Sequence, residues 1–181
     1  MTATIKSGVV ALLLLGSVEA AHASTQGSFG ATSTGSVNIN ASVPARVRIS
    51  GLTDVDLTNS DPSVDAQVAQ NICVFSNTAT RGYRVTATGS GAANAFTLAS
   101  GVLPVVPYAV QWAGTSGQAT GTALATGTPL TGLTSSATNS NCASGPASSA
   151  SLIVRIGAPD LQAMPATTNF TGTLTLVVAP E

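Results

Sequence analysis

Charge is what this 181-residue chain has least of: only 7% of its residues are Asp, Glu, Lys or Arg, against roughly 25% in an average soluble domain. The formal net charge is -1. No run of Lys or Arg forms a basic patch, which excludes nucleic acid and anionic membrane surfaces as natural partners. Histidine and lysine occur once each, as His22 and Lys6, both near the N-terminus. From Ser24 onward the bases are Arg46, Arg48, Arg81, Arg84 and Arg155, and the acids are Asp54, Asp56, Asp61, Asp65, Asp160 and Glu181. Without His or Lys, no Ser-His-Asp, Cys-His or Ser-Lys arrangement can be built, so the expectation is that this is not an enzyme. Two cysteines are too few for a zinc site of Cys and His, and no cofactor or metal is expected. Asp54-x-Asp56 and Asp61-x-x-x-Asp65 match no calcium loop closely and read as solvated acids of a surface turn.

Long apolar runs are also missing. The one candidate, Val9 to Leu15, falls short of the ~20 residues a spanning helix needs, so no stable membrane insertion is expected. It follows Lys6 and precedes Ala21-His22-Ala23, a small-residue cleavage site. Residues 1–23 therefore read as a secretory leader cut between Ala23 and Ser24. Export would place Cys73 and Cys142 in an oxidising compartment, where an even count favours a disulfide over two buried thiols.

Aromatic residues are scarce too, at 4%, while hydrophobic residues make up 44%. That is enough to bury a core, and it argues against disorder. The 18 Gly and 9 Pro, with abundant Ala, Ser, Thr and Val, suit short strands joined by turns. The first of these is GSVNINASVP, residues 35–44. There Val37, Ile39, Ala41 and Val43 alternate with Ser36, Asn38, Asn40 and Ser42, the pattern of a strand with one buried face. Further strands are read around Val47 and Ile49, Val55 and Leu57, Gln70 to Ser76, Gly82 to Gly89, Ala95 to Ala99 and Val105 to Trp112. Gln118 to Ala125, Pro129 to Leu133, Ser151 to Ile156 and Gly172 to Val178 follow. A short turn is placed near Pro159 to Met164, and a loop from Asn139 to Pro146 carries Cys142. Strands recurring roughly every 10 residues, with no amphipathic helix, predict an all-β antiparallel sandwich. Tyr83, Tyr108 and Trp112 either line a sugar-binding face or pack inside. The core is the better place in a chain this poor in aromatics. The domains read as the leader 1–23, an extension 24–44 carrying the opening strand, and a body 45–181.

The run GSVNINASVPARVRI, followed by ICVFSNTATRGYRVTATGSG, AFTLASG and VVPYAVQWAG and closing on NFTGTLTLVVAPE, resembles the subunits of chaperone–usher pili. The likeness is to the archaic and alternate groups that include spore coat U-like domains, and it spans roughly Gly35 to Glu181. It implies an immunoglobulin-like sandwich that lacks its last strand. A periplasmic chaperone fills the gap first, and the N-terminal strand of the next subunit then replaces it at an outer-membrane usher, a form of β-augmentation. Val37, Ile39, Ala41 and Val43 would be the donor residues, and the C-terminal carboxylate, here that of Glu181, the group that basic chaperone residues anchor. The partners implied are neighbouring subunits in a head-to-tail fibre, the chaperone and the usher. The location implied is the periplasm and then the cell surface. The opening strand could instead pair within its own domain. The competing function is a single-domain secreted adhesin binding carbohydrate or a surface receptor.

Overall fold

The computed structural model describes residues 24–181, which fall into two compact units divided between Val43 and Pro44. The leader assignment, including Lys6, His22 and Ala23, lies outside the described residues.

In the first unit, Thr25 and Ser36 exchange backbone hydrogen bonds of 3.0 Å in an isolated antiparallel bridge, and their hydroxyls also meet. Residues 37–43 belong to no strand, so the opening segment does not pair here as an ordinary first strand among the described residues. Val37, Ile39 and Val43 are 72, 87 and 80% exposed. Alternation specifies a strand only when a neighbouring strand supplies the ladder.

The second unit is a β-sandwich. Strands β1 (Val47–Ser50), β2 (Ala66–Ser76), β9 (Ala150–Ile156), β6 (Ala109–Ala113) and β7 (Thr122–Ala123) form one sheet in the order β1-β2-β9-β6-β7. Strands β10 (Leu174–Pro180), β3 (Gly82–Gly89) and β8 (Leu130–Thr134) form the other in the order β10-β3-β8. A two-stranded ribbon joins β4 (Thr97–Leu98) to β5 (Val106–Pro107), and α1 (Ala158–Gln162) is one short helix. Every pairing is antiparallel.

The alternating patterns explain the packing. Ile72 and Val74 of β2, Leu152 and Val154 of β9, and Val110 and Trp112 of β6 face Tyr83, Val85 and Ala87 of β3, all in one buried cluster. Trp112 and Tyr83 meet edge to face with ring centroids 6.4 Å apart, and the Trp112 indole Nε1 donates to the Tyr83 hydroxyl at 3.2 Å. Both are core residues, at 1 and 0% exposed, and Tyr108 is 8% exposed. None of the three forms a sugar-binding face.

On the outer side of β2, Cys73 and Cys142 are joined in a disulfide, Cα to Cα 6.0 Å, across a sequence separation of 69. With Ala137 and Phe75 they make a second, small apolar cluster. Serine hydroxyls extend the sheet there. Val74 donates its N–H to Ser149 Oγ at 2.8 Å, Ser149 Oγ donates back to the Val74 carbonyl at 2.8 Å, and Ser135 Oγ bonds the same carbonyl.

The expected strand at Val55 and Leu57 is absent. Gly51 turns the chain with φ +80°, after which Thr53 binds the Gln70 side chain instead of a backbone partner. Its N–H and hydroxyl donate to Gln70 Oε1 at 2.9 and 3.2 Å, and Gln70 Nε2 donates to the Thr53 carbonyl at 3.1 Å. A side-chain amide holds this segment off the sheet, so no ladder forms. Val55 and Leu57 still pack, half-buried, on the core.

Candidate functional site: an open sheet edge

A sandwich of two separate sheets has four sheet edges, and each must be managed because it carries unpaired N–H and C=O groups. Two are blunted here. β7 is two residues long. β8 pairs with β3 through a register shift between Tyr83 and Val85, and Gly132 within it has φ +72°. β1 and β10 are different. β10 runs seven residues in unbroken register with β3, from Leu174 opposite Gly89 to Pro180 opposite Tyr83. Among the described residues nothing pairs with its other edge, nor with the outer edge of β1. The two strands come within 8 Å, Cα to Cα, with no ladder between them.

The side chains along this margin are incompletely covered. On β1, Val47 and Ile49 are half-buried against the core, as are Leu174, Leu176 and Val178 on β10. Ile72 and Val74 of β2 and Tyr83, Val85 and Ala87 of β3 are fully enclosed, all at 0%. The sandwich is therefore closed in its middle and open along the β1/β10 margin.

Strand order says what is missing. An immunoglobulin constant domain has sheets A-B-E-D and C-F-G, in which F lies between C and G. Here β1-β2-β9-β6 takes the places of A-B-E-D, and β3 and β10 those of C and F. Among the described residues no strand takes the place of G, the edge of β10 that lies toward β1. The fold is an immunoglobulin-like antiparallel sandwich with that position unfilled.

Glu181 follows β10 and sits beside the turn into β3. Its N–H donates to the Gly82 carbonyl at 3.1 Å, and its Oε2 accepts from the Gly132 N–H at 2.7 Å. Gly82 permits this approach, because a Cβ there would lie 2.8 Å from the Glu181 carbonyl oxygen. Among the described residues the one ion pair is Arg155 with Asp65. The Asp65 carboxyl is held below the usual carboxylate range, first by the Ala158 N–H and then by Arg155. Thr58 lowers Asp56 and Ser63 lowers Asp61 by hydrogen bonds. All three are ordinary surface turn acids, and among the described residues no group of three metal-binding side chains comes together.

A shallow concavity of about 330 Å³ is lined by Pro107, Tyr108, Ala109, Arg155, Gly157 and Asp160. It holds no nucleophile paired with a base. No helix among the described residues is long and apolar enough to cross a membrane.

No family model matches the chain, and none of the curated proteins matches it. Among solved structures it is similar to one described as a chaperone–tip adhesin complex in CFA/I fimbriae biogenesis. The identity is 11% and the TM-score 0.46, over 76% of this chain and 41% of that one. The chain thus spans about two fifths of that protein's length. A likeness this distant carries no function across.

The edge itself was legible in the sequence as the alternation of Leu174, Leu176 and Val178. The unpaired margin of β1, and the half-buried Val55 and Leu57, were not. Only the sheet order reveals that no strand lies between β1 and β10.

Proposed function

We propose that this chain is a structural subunit of a surface pilus of the chaperone–usher type, in the group with spore coat U-like domains. In this reading the open β1/β10 margin accepts residues 35–43 of a second copy as its missing strand, after a periplasmic chaperone has held the site and an outer-membrane usher has received the subunit. The observation that carries it is the long, unblunted, half-covered edge of β10 in a chain whose Val37, Ile39 and Val43 are exposed on alternate positions. Ladder hydrogen bonds supply affinity without regard to sequence, and the apolar side chains set the register. A slip by one residue would drive Ser36, Asn38, Asn40 and Ser42 into the apolar margin, so a single register is specified. Burying two Val, one Ile and Ala41 contributes roughly 5–10 kcal/mol before ordering costs. Under the same reading the C-terminal carboxylate of Glu181 is the group a chaperone would anchor, and cleavage before Ser24 releases the extension.

The adhesin alternative loses its aromatic platform, since Trp112 and Tyr83 are enclosed. Ile39→Asp is the test. It places a charge on the donor face while leaving the body unchanged. The expected result is loss of fibres by electron microscopy, with the subunit still captured by its chaperone. Fibres of ordinary length from the variant would overturn the donor assignment.

A further inference from the structure

The few charges of the body are sorted by end. β2 runs 11 residues, roughly 35 Å at the usual strand rise, and defines the long axis. At the Ser76 end lie Arg46, Arg48, Arg81 and Arg84. Arg46 exchanges backbone and side-chain hydrogen bonds with Asn77, Arg48 is opposite Phe75, Arg81 closes the turn before Gly82, and Arg84 is opposite Ala179. All four are exposed, and among the described residues none is in an ion pair. The one acid at this end is Glu181, bonded to Gly132 and Gly82.

The Ala66 end is the reverse. Asp65 precedes β2, binds the Ala158 N–H at 2.8 Å and pairs with Arg155. Asp160 of α1 crowds the same point, with Asp160 Oδ2 and Asp65 Oδ1 lying 3.3 and 3.9 Å from where a Gly157 Cβ would stand. Gln162 Nε2 donates to the Pro62 carbonyl at 3.2 Å and so brings Asp61 to this end. Asp54 and Asp56 are on the 51–65 connection that leads to this end, Asp54 following Thr53, which is bonded to Gln70 four residues inside β2. By side chains, one pole carries net +3, and the other, where Asp61, Asp65 and Asp160 outnumber Arg155, carries net -2, with Asp54 and Asp56 on the connection that leads to it.

We infer that these poles are the two halves of one contact between copies of this chain, the Arg46/Arg48/Arg81/Arg84 pole of one body meeting the Asp61/Asp65/Asp160 pole of the next. This rests on the donated-strand reading, and it assigns that strand a direction. The chain enters the body at Pro44, whose carbonyl accepts from Asn77 Nδ2 at 3.0 Å, so the donor strand leaves from the basic pole. β10 runs from Leu174, near the acidic pole, to Pro180, near the basic one. Insertion antiparallel to β10 sets Val43 beside Leu174 and therefore brings the basic pole of the donor copy against the acidic pole of the acceptor. Parallel insertion would set basic pole against basic pole. Attraction favours the first arrangement and repulsion disfavours the second, an electrostatic selection of orientation as much as of partner.

The test separates the poles from the strand, because residues 35–43 carry no charge. Two quantities are measured from roughly 0.02 to 0.5 M NaCl, over which screening shortens from about 20 to about 4 Å. One is the assembly rate of the full chain, by light scattering. The other is binding of a labelled synthetic peptide of residues 35–43. Assembly is expected to slow about tenfold or more across this range while peptide binding changes little. Arg46→Glu with Arg84→Glu, or Asp61→Arg with Asp160→Arg, should each slow low-salt assembly about tenfold with the melting temperature retained. All four substitutions in one chain should restore it, a rescue that a merely structural defect would not give. Assembly insensitive to salt and to reversal, with the peptide still bound, overturns the pole contact and leaves the donor strand standing. No rescue by the fourfold chain likewise overturns the pole contact. Salt-dependent, rescuable assembly without peptide binding supports the pole contact and removes the donor strand alone.

Discussion

Tyr83 and Tyr108 are both core tyrosines, and their hydroxyls fare differently. Burial pushes the Tyr83 hydroxyl pKa up, offset in part by the hydrogen bond from Trp112. Burial also raises Tyr108, whose hydroxyl is enclosed with no hydrogen-bond partner among the described residues while its ring lies against Phe96 at 5.7 Å. An unsatisfied buried hydroxyl costs about 1–3 kcal/mol, and a made one contributes about 1. Tyr108→Phe is therefore expected to raise stability by about 1 kcal/mol, or about 2–4 °C in melting temperature for a chain of this size. Tyr83→Phe is expected to lower it by a similar amount, because it strands the Trp112 N–H. Paired thermal melts decide the matter, and destabilisation by Tyr108→Phe would show that its hydroxyl is satisfied. The sequence placed both residues in the core from the alternation of GYRVTATG and from the scarcity of aromatics. Which hydroxyl found a partner depended on where Trp112 of β6 landed in the opposite sheet, and local pattern does not carry that.

Among the elements, those with their own two-residue period were readable. β3 occupies Gly82–Gly89, where alternation marks a strand with one buried face, and β9 occupies Ala150–Ile156, where a continuous apolar run marks a strand buried on both. Pro107 divides the expected 105–112 strand into β5 and β6, since a proline cannot donate to the ladder. The expected Gln118 to Ala125 strand shrinks to Thr122–Ala123, a Gly- and Thr-rich edge with little to bury. β2 starts four residues before the expected Gln70, because Ala66 to Ala69 gain their ladder from β9. The loop between β8 and β9 is fastened to the outer face of β2 by Cys142 and by the hydroxyls of Ser135 and Ser149. Closing about 70 residues is worth roughly 4 kcal/mol in the chain-entropy account. Cys73→Ser with Cys142→Ser should therefore cost about 2–5 kcal/mol in denaturant unfolding. It should also raise hydrogen exchange at the Val74 amide, which Ser149 covers. A loss below about 0.5 kcal/mol would mean the serine hydroxyls hold the loop without the bridge.

At the scale of the whole molecule, the central feature is a sandwich closed at its middle and open on one side. Sequence alternation supplied the strands and the candidate donor face. The opening itself became visible only when the strands took their order, with β1 and β10 as neighbours that do not pair. Under the proposed function, heterologous contacts whose rotation does not close would extend head to tail, and charge sorted to opposite poles would suit such a fibre. The most direct measurement is backbone hydrogen exchange of β10 before and after adding a synthetic peptide of residues 35–43. The account predicts that amides on the outer edge of Leu174–Pro180 exchange freely in the isolated protein and become protected with peptide, and that a peptide carrying Ile39→Asp has no such effect. Amides of β10 already protected without peptide, or unchanged by it, would contradict the claim that this edge awaits a strand from another molecule.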